Sequence, residues 1–169
     1  MAIDLERMTV LVVADIIPLK NQVVSDLESV NAGAIITAAH AKKAFAMFCD
    51  HRPHLVIADW DMAPVNGIEL TKNIRRNSFS PDPMAPVILI AGDTRTHRVA
   101  QARDAGVTGL LLKPFSTNTL LNHVTHAMKD ERSFIDCSAY VGPERRREKK
   151  PDYPGPFRRT DDQKERPSS

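Results

Sequence analysis

Cysteine is nearly absent: the 169-residue chain has two, Cys49 and Cys137. Two cannot build a disulfide framework, and their separation matches no metal-ligand spacing, so a reducing compartment is expected. Long apolar runs are missing too, since none approaches the roughly 20 residues that cross a bilayer. The opening MAIDLERMTVLVV puts acids where a secretory leader is basic and then apolar, so no leader is expected. The expected location is cytoplasmic. Charge of one sign is scarce as well, with a formal net charge of +2. That small figure hides a division. From Glu144 onward nine basic residues face six acidic ones, giving +3 there and −1 before it. A nearly neutral body with a basic end points to an anionic partner for the end. Hydrophobic residues at 42% and charged ones at 26% exclude collagen-like and wholly disordered classes. The length holds one ordinary domain and an appendage, not two full domains.

What is present is alternation. MTVLVV (8–13) reads as a strand buried on both faces and ends near Asp15. Residues 19–30 space Val23, Val24, Leu27 and Val30 for one helical face, and Asn31-Ala-Gly33 supplies a stop. AIIT (34–37) is the next strand, followed by a helix over 40–51 with Ala41, Ala44, Phe45 and Phe48 on one face. HLVIAD (54–59) is the third strand, and Ile68, Leu70 and Ile74 mark a helix over 68–77. VILIA (87–91) follows a proline-rich loop; Val99, Ala102 and Ala105 then mark a helix that Gly106 ends. GLLL (109–112) is the fifth strand, and Ser116 caps a last helix with Leu120, Leu121, Val124, Ala127 and Met128 inward. Five strands alternating with five helices predict an α/β domain, a doubly wound parallel sheet, over residues 8–130. Residues 1–7 form an N-terminal extension and 131–169 a tail.

Such sheets bind ligands beyond the carboxyl ends of their strands. Those ends read Ala14-Asp15, Asp59, Ala91-Gly92 and Lys113-Pro114, so acids and one base converge on a rim. Asp and Lys also commonly do no more than terminate apolar strands; four such ends together favour a site. VVAD at the first strand, HLVIADWDMAPVNGIEL around the third, VILIAG at the fourth and AGVTGLLLKPF around the fifth resemble a response-regulator receiver domain of the CheY-like kind. The resemblance implies a five-stranded sheet in the order 2-1-3-4-5. It implies Asp59 as phosphoacceptor, Asp15 as one of two metal-binding acids, Lys113 as the partner of the phosphoryl oxygens, and a Lys113-Pro114 bond that is often cis. A carboxylate at a strand end suits attack on a phosphohistidine, and Mg²⁺ with its oxygen ligands would neutralise the charge of transfer. A histidine kinase or phosphotransfer protein is the implied donor, and neither event asked of the chain is multiple-turnover catalysis.

Three positions depart from that family. Ala14 stands where a second N-terminal acid is usual, Ala91 where a Ser or Thr senses the phosphoryl group, and Leu110 where an aromatic rotates with it. Asp61, with Asp15 and Asp59 the third expected metal-site carboxylate, is placed to return the missing charge. Two readings stay open: a phosphorylated receiver, and a receiver fold kept as a docking platform. His123 and His126, three apart, read as surface histidines for want of a third metal ligand; His51 and His54 read as solvated, and Trp60 as a partly exposed loop residue.

From Ser133 onward periodicity stops and prolines crowd in, so too few apolar side chains remain for the segment to fold alone. Yet Tyr140-Val-Gly-Pro-Glu-Arg-Arg-Arg147 is echoed by Tyr153-Pro-Gly-Pro-Phe-Arg-Arg-Thr160, a duplicated Tyr-x-Gly-Pro-x-Arg-Arg. A repeated motif suits a ligand with two equivalent halves. Arginine's planar fork meets guanine O6 and N7 bidentately and pairs with phosphate. Tyrosine and proline add flat surfaces, and Asp152 or Asp161 can accept from guanine N1 and N2. Cyclic di-GMP has that symmetry, and the tail resembles that of CheY-like c-di-GMP effectors. The resemblance implies nucleotide binding through Tyr140, Pro143, Arg145, Arg146, Arg147, Tyr153, Pro156, Arg158, Arg159, Asp152 and Asp161, and a downstream protein target in motility or surface attachment. The alternatives are an ordinary phosphorelay receiver whose tail is a linker, a non-specific polyanion binder or a protein-docking segment. Specific DNA binding is not expected.

Overall fold

A computed structural model describes residues 3–145. After one 3₁₀ turn at Leu5–Arg7, the chain runs β1 (Thr9–Val13), α1 (Ile17–Glu28), β2 (Ala34–Ala38), α2 (Ala41–His51), β3 (Leu55–Asp59) and α3 (Gly67–Arg76). It continues through β4 (Val87–Ala91), α4 (Thr96–Ala105), β5 (Gly109–Leu112) and α5 (Thr117–Met128). The first five strands form one sheet in the order β2-β1-β3-β4-β5. Every neighbouring pair in it is parallel, as the sequence predicts.

Period-two alternation divides the strand side chains between two apolar layers. Leu11, Val13, Val56, Ala58, Val87 and Leu89 face α2, α3 and α4, where Phe48, Ile68, Leu70 and Ile74 complete the layer. Val10, Val12, Leu55, Ile57, Ile88, Ile90 and Leu111 face α1 and α5, against Val23, Leu27, Leu120 and Val124. Side chains start three of the helices. His40 Nδ1 accepts from the Lys43 amide, Asn66 Oδ1 from the Glu69 amide and Ser116 Oγ from the Thr119 amide. Two expectations shift. Val30 lies beyond the end of α1, and Val99, expected on the inner face of α4, is 44% exposed, the buried residues of that helix being Ala102 and Ala105.

The segment from Ser133 departs most from expectation. Phe134–Cys137 and Tyr140–Pro143 form an antiparallel hairpin, β6 and β7, so the folded unit passes residue 130. The hairpin lacks a core of its own and borrows one from α3 and α4. Tyr140 is 3% exposed and Val141 8%, and the Tyr140 hydroxyl donates to the Pro143 carbonyl at 2.7 Å. Gly106, the left-handed C-cap of α4 at φ 87°, lies against this strand, where a Cβ would overlap the Val141 carbonyl oxygen. Arg75, 3% exposed, locks the junction. It donates to the carbonyls of Gly106 at 3.0 Å, Pro83 at 2.9 Å and Ala85 at 2.7 Å, and sits 5.4 Å from the Phe134 ring centre. Burial pushes its guanidinium down to about 10, which leaves it charged at neutral pH.

Removing this packing has a measurable cost. Tyr140→Ala is expected to lower stability by about 3 kcal/mol or more. A chain ending at residue 130 should unfold at lower urea than one ending at 145. Equal midpoints would show the hairpin to be an idle appendage.

Candidate functional site

All five residues of β3 are buried, and Asp59 at its carboxyl end has no exposed surface. A bare carboxylate there would cost several kcal/mol. Lys113, arriving just past β5, places Nζ 3.0 Å from Asp59 Oδ1, and the Asp61 amide donates to the same oxygen at 3.3 Å. Asp59 Oδ2 is buried without a hydrogen-bond partner. The register of β4 makes the pairing possible. Trp60 N donates to Ile90 O at 2.9 Å and Lys113 N to Ala91 O at 2.8 Å, so both strand ends are fastened to the one between them. The Lys113-Pro114 bond is cis, as the resemblance implies; Ala63-Pro64 is also cis.

The other expected carboxylates behave differently. Asp15 is exposed in the turn after β1, and Ala14, 2% exposed, brings no carboxylate to the rim. Asp61 does not turn to Asp59. It takes a two-pronged ion pair from Arg98, at 2.6 Å and 3.4 Å. Among the described residues no group of three His, Cys, Asp or Glu side chains lies close enough to hold a metal ion. The expected metal set of Asp15, Asp59 and Asp61 is therefore not assembled. Receiver domains typically bind Mg²⁺ here, an ion that keeps several waters and needs only one or two carboxylates; Asp59, through its unpartnered Oδ2, and the exposed Asp15 would hold it, while Ala14 adds none and Asp61 is paired with Arg98.

Arg98 and its neighbours are what sequence reasoning missed. The guanidinium lies 4.8 Å from the Trp60 ring centre and reaches Asp93 at 3.9 Å. The hydrogen bond with Asp61 raises its affinity for its proton, and the charges of Asp61, Asp93 and Asp59 add to that. Asp93 is held below the usual carboxylate range, chiefly by its hydrogen bond from Arg95. One signal was available: DTRTHR (93–98) follows β4 as WDM follows β3, which puts both loops on one rim. Trp60 itself is 4% exposed, not a partly exposed loop residue, because it packs into the apolar layer of α2, α3 and α4 and Arg98 lies over its ring. Ala91 is fully buried and Leu110 half-buried, with no hydroxyl or aromatic ring at these positions to respond to a phosphoryl group. His123, expected at the surface, is half-buried, with Nδ1 2.9 Å from the Thr119 carbonyl oxygen and Nε2 3.2 Å from that of Leu110.

The nucleotide set is only partly described. Tyr140 and Pro143 are buried in the hairpin and present no face to a ligand, which corrects their assignment. Arg145 lies 4.2 Å from the Tyr140 ring centre and pairs with Asp104 at 2.8 Å. Arg146, Arg147, Asp152, Tyr153, Pro156, Arg158, Arg159 and Asp161 lie outside the described residues.

A sequence model of the response regulator receiver domain matches residues 10–125, well over half the chain. The chain belongs to that family. Over 113 residues it is 26% identical to the phosphate regulon transcriptional regulatory protein PhoB of Pseudomonas aeruginosa, a match covering 67% of this chain and 48% of that protein. The chemotaxis protein CheY homolog of Campylobacter jejuni is 27% identical over 114 residues, covering 67% and 86%. The chain spans about half the length of some curated relatives, PhoB and the Vibrio cholerae CheY-3 among them. In structure this receiver resembles Vibrio cholerae CheY4 with a TM-score of 0.66 and 28% identity, covering 71% of this chain and 98% of that one. No helix among the described residues is long and apolar enough to cross a membrane.

The buried pair sets a test for this receiver. Lys113→Met strands the Asp59 charge and should lower stability by about 3 kcal/mol. Adding Asp59→Asn removes that charge and should restore most of the loss, measured by urea unfolding. A double variant as unstable as the single would show that Lys113 acts through packing instead.

Proposed function

We propose that this receiver signals by protein contact, taking a phosphoryl group on Asp59 from a histidine kinase or phosphotransfer protein. What carries the reading is Asp59 itself: one carboxylate oxygen held by Lys113, the other buried without a partner at a strand end. In the transfer, Oδ2 forms the new O–P bond while the donor's N–P bond breaks, and the departing imidazole nitrogen takes up a proton. The added negative charge falls beside the Lys113 ammonium, with the Arg98 guanidinium close enough for Asp59's charge to bear on it. The event is stoichiometric modification, not turnover. Ala91 and Leu110 supply neither hydroxyl nor aromatic ring, so its consequence has to pass through other contacts on the rim.

The finer part of the proposal concerns the basic end. The duplicated Tyr-x-Gly-Pro-x-Arg-Arg pattern supports recognition of cyclic di-GMP by arginine, through bidentate contacts to guanine and charge pairing to phosphate. The reader set is Arg145–Arg147 and the second copy of the motif, since Tyr140 and Pro143 are packed inward. The competing reading is a general polyanion binder, which loses affinity steeply with salt and accepts any nucleic acid.

Phosphorylation is tested with acetyl phosphate followed by a phosphate-affinity gel, where a shifted band that Asp59→Asn abolishes is expected. An unlabelled wild type would leave the docking-platform reading in its place. For the nucleotide, calorimetry should give saturable heat with c-di-GMP for the full chain and none for a chain ending at Arg145, which keeps the hairpin. Equal heats from both, or equal affinity for c-di-AMP at fixed salt, would remove the messenger from the account.

A further inference from the structure

Between α3 and β4 the chain runs through a loop, residues 77–86, punctuated by Pro81, Pro83 and Pro86. Two apolar side chains on it stand in solvent. Phe79, 81% exposed, is the most exposed large hydrophobic among the described residues, and Met84 is 61% exposed. Scattered apolar residues on a surface are ordinary, but this pair sits on a backbone that is tied down. Asn77 Oδ1 accepts from the Phe79 amide at 3.0 Å, and Asp82 Oδ1 accepts from the Met84 amide at 3.0 Å. The Ser80 hydroxyl donates to the Ile74 carbonyl at 2.6 Å, and Arg75 donates to the carbonyls on either side of Met84, those of Pro83 and Ala85. The loop holds both side chains outward.

This loop continues the seat of the hairpin. The Arg75 guanidinium that holds Pro83 and Ala85 also donates to Gly106, which lies against Val141 and Gly142. Arg76 reaches the Ser138 carbonyl in the hairpin turn at 3.5 Å. The chain beyond the hairpin begins at the same place, at Arg145 held on Asp104. Residues 146–169 contain no alanine, valine, leucine, isoleucine or methionine. Their apolar side chains gather in Pro151-Asp-Tyr-Pro-Gly-Pro-Phe157, and Tyr153 and Phe157 are their only aromatics. The eight residues from Arg145 to Tyr153 span up to about 28 Å when extended, ample for a loop that shares one guanidinium with Gly106. Charge favours the approach, since Asp82 is the one charged residue of 77–86 and the arriving segment is basic. The first motif copy shows the use this chain makes of the pattern. Tyr140 is buried against the body, its hydroxyl on the Pro143 carbonyl and Arg145 across its ring.

We infer that residues 151–157, the apolar part of the second motif copy, dock on the 77–86 loop of their own chain, with Tyr153 and Phe157 covering Phe79 and Met84. The contact requires neither a nucleotide nor a phosphoryl group, so it stands or falls apart from both parts of the proposed function.

Met84 is one of six methionines, and its methyl group is the reporter. In the full-length chain labelled with methyl-¹³C methionine, its resonance is the one lost in Met84→Leu. Beside an aromatic ring it should lie upfield of its position in the full-length Tyr153→Ser/Phe157→Ser chain, at every protein concentration. Trypsin should cut after Arg158 several times faster in Phe79→Ser/Met84→Ser than in wild type, because cleavage samples the released segment. Both replaced side chains are exposed, so the fold should survive, as circular dichroism would check. A Met84 methyl at one position in both chains would overturn the inference, and so would equal cleavage. A displacement that grows with protein concentration would overturn it too, by making a second molecule the occupant.

Discussion

A charge with no exposed surface has to be answered within the fold, and Asp59 is answered by one ammonium group at 3.0 Å. The penalty for burying each ion is several kcal/mol, and only close geometry offsets it. Lys113 comes from the far side of β4, so the contact exists only while β3, β4 and β5 keep their register. The strand order is thus a condition of the site, and the apolar layers on both faces hold that order. Isoleucines and valines within β1, β3 and β4 leave no room for slippage, since a one-residue shift would turn each side chain to the opposite layer.

Around this pair lies a second ring of charge contributed by loops. Arg98 joins the β3 loop to the β4–α4 loop through Asp61, Asp93 and the face of Trp60. The usual mobile parts of a receiver, a hydroxyl at the end of β4 and an aromatic on β5, are here Ala91 and Leu110. What the rim has in their place is an ion-pair network whose members are long, charged and partly shielded.

Helix α4 carries both ends of this arrangement. Its first turn bears Arg98, and its last turn and C-cap bear Asp104 and Gly106, which receive Arg145 and the Val141 strand. The hairpin is therefore seated on the same helix that bears Arg98. Arg75 anchors the seat from α3, with three carbonyl acceptors and the Phe134 ring about its guanidinium.

Strand positions, helix spans and the 2-1-3-4-5 order were legible in the residues, because apolar runs of five or so residues ending at Asp59 or Lys113 have few places to go in an α/β fold. So was the meeting of Asp59 with Lys113, since both terminate strands on one side of a parallel sheet. The direction of Asp61 was not legible: spacing puts it beside Asp59, but its side chain follows the nearest cation, and Arg98 is 37 residues away in sequence. The hairpin was hidden for the same reason. Phe134, Tyr140 and Val141 make too thin an apolar pattern to fold alone, and their burial comes from surfaces of α3 and α4 that exist only after the body has folded. Local periodicity determines elements; long-range charge and borrowed packing belong to the tertiary structure, because both depend on partners distant in the chain.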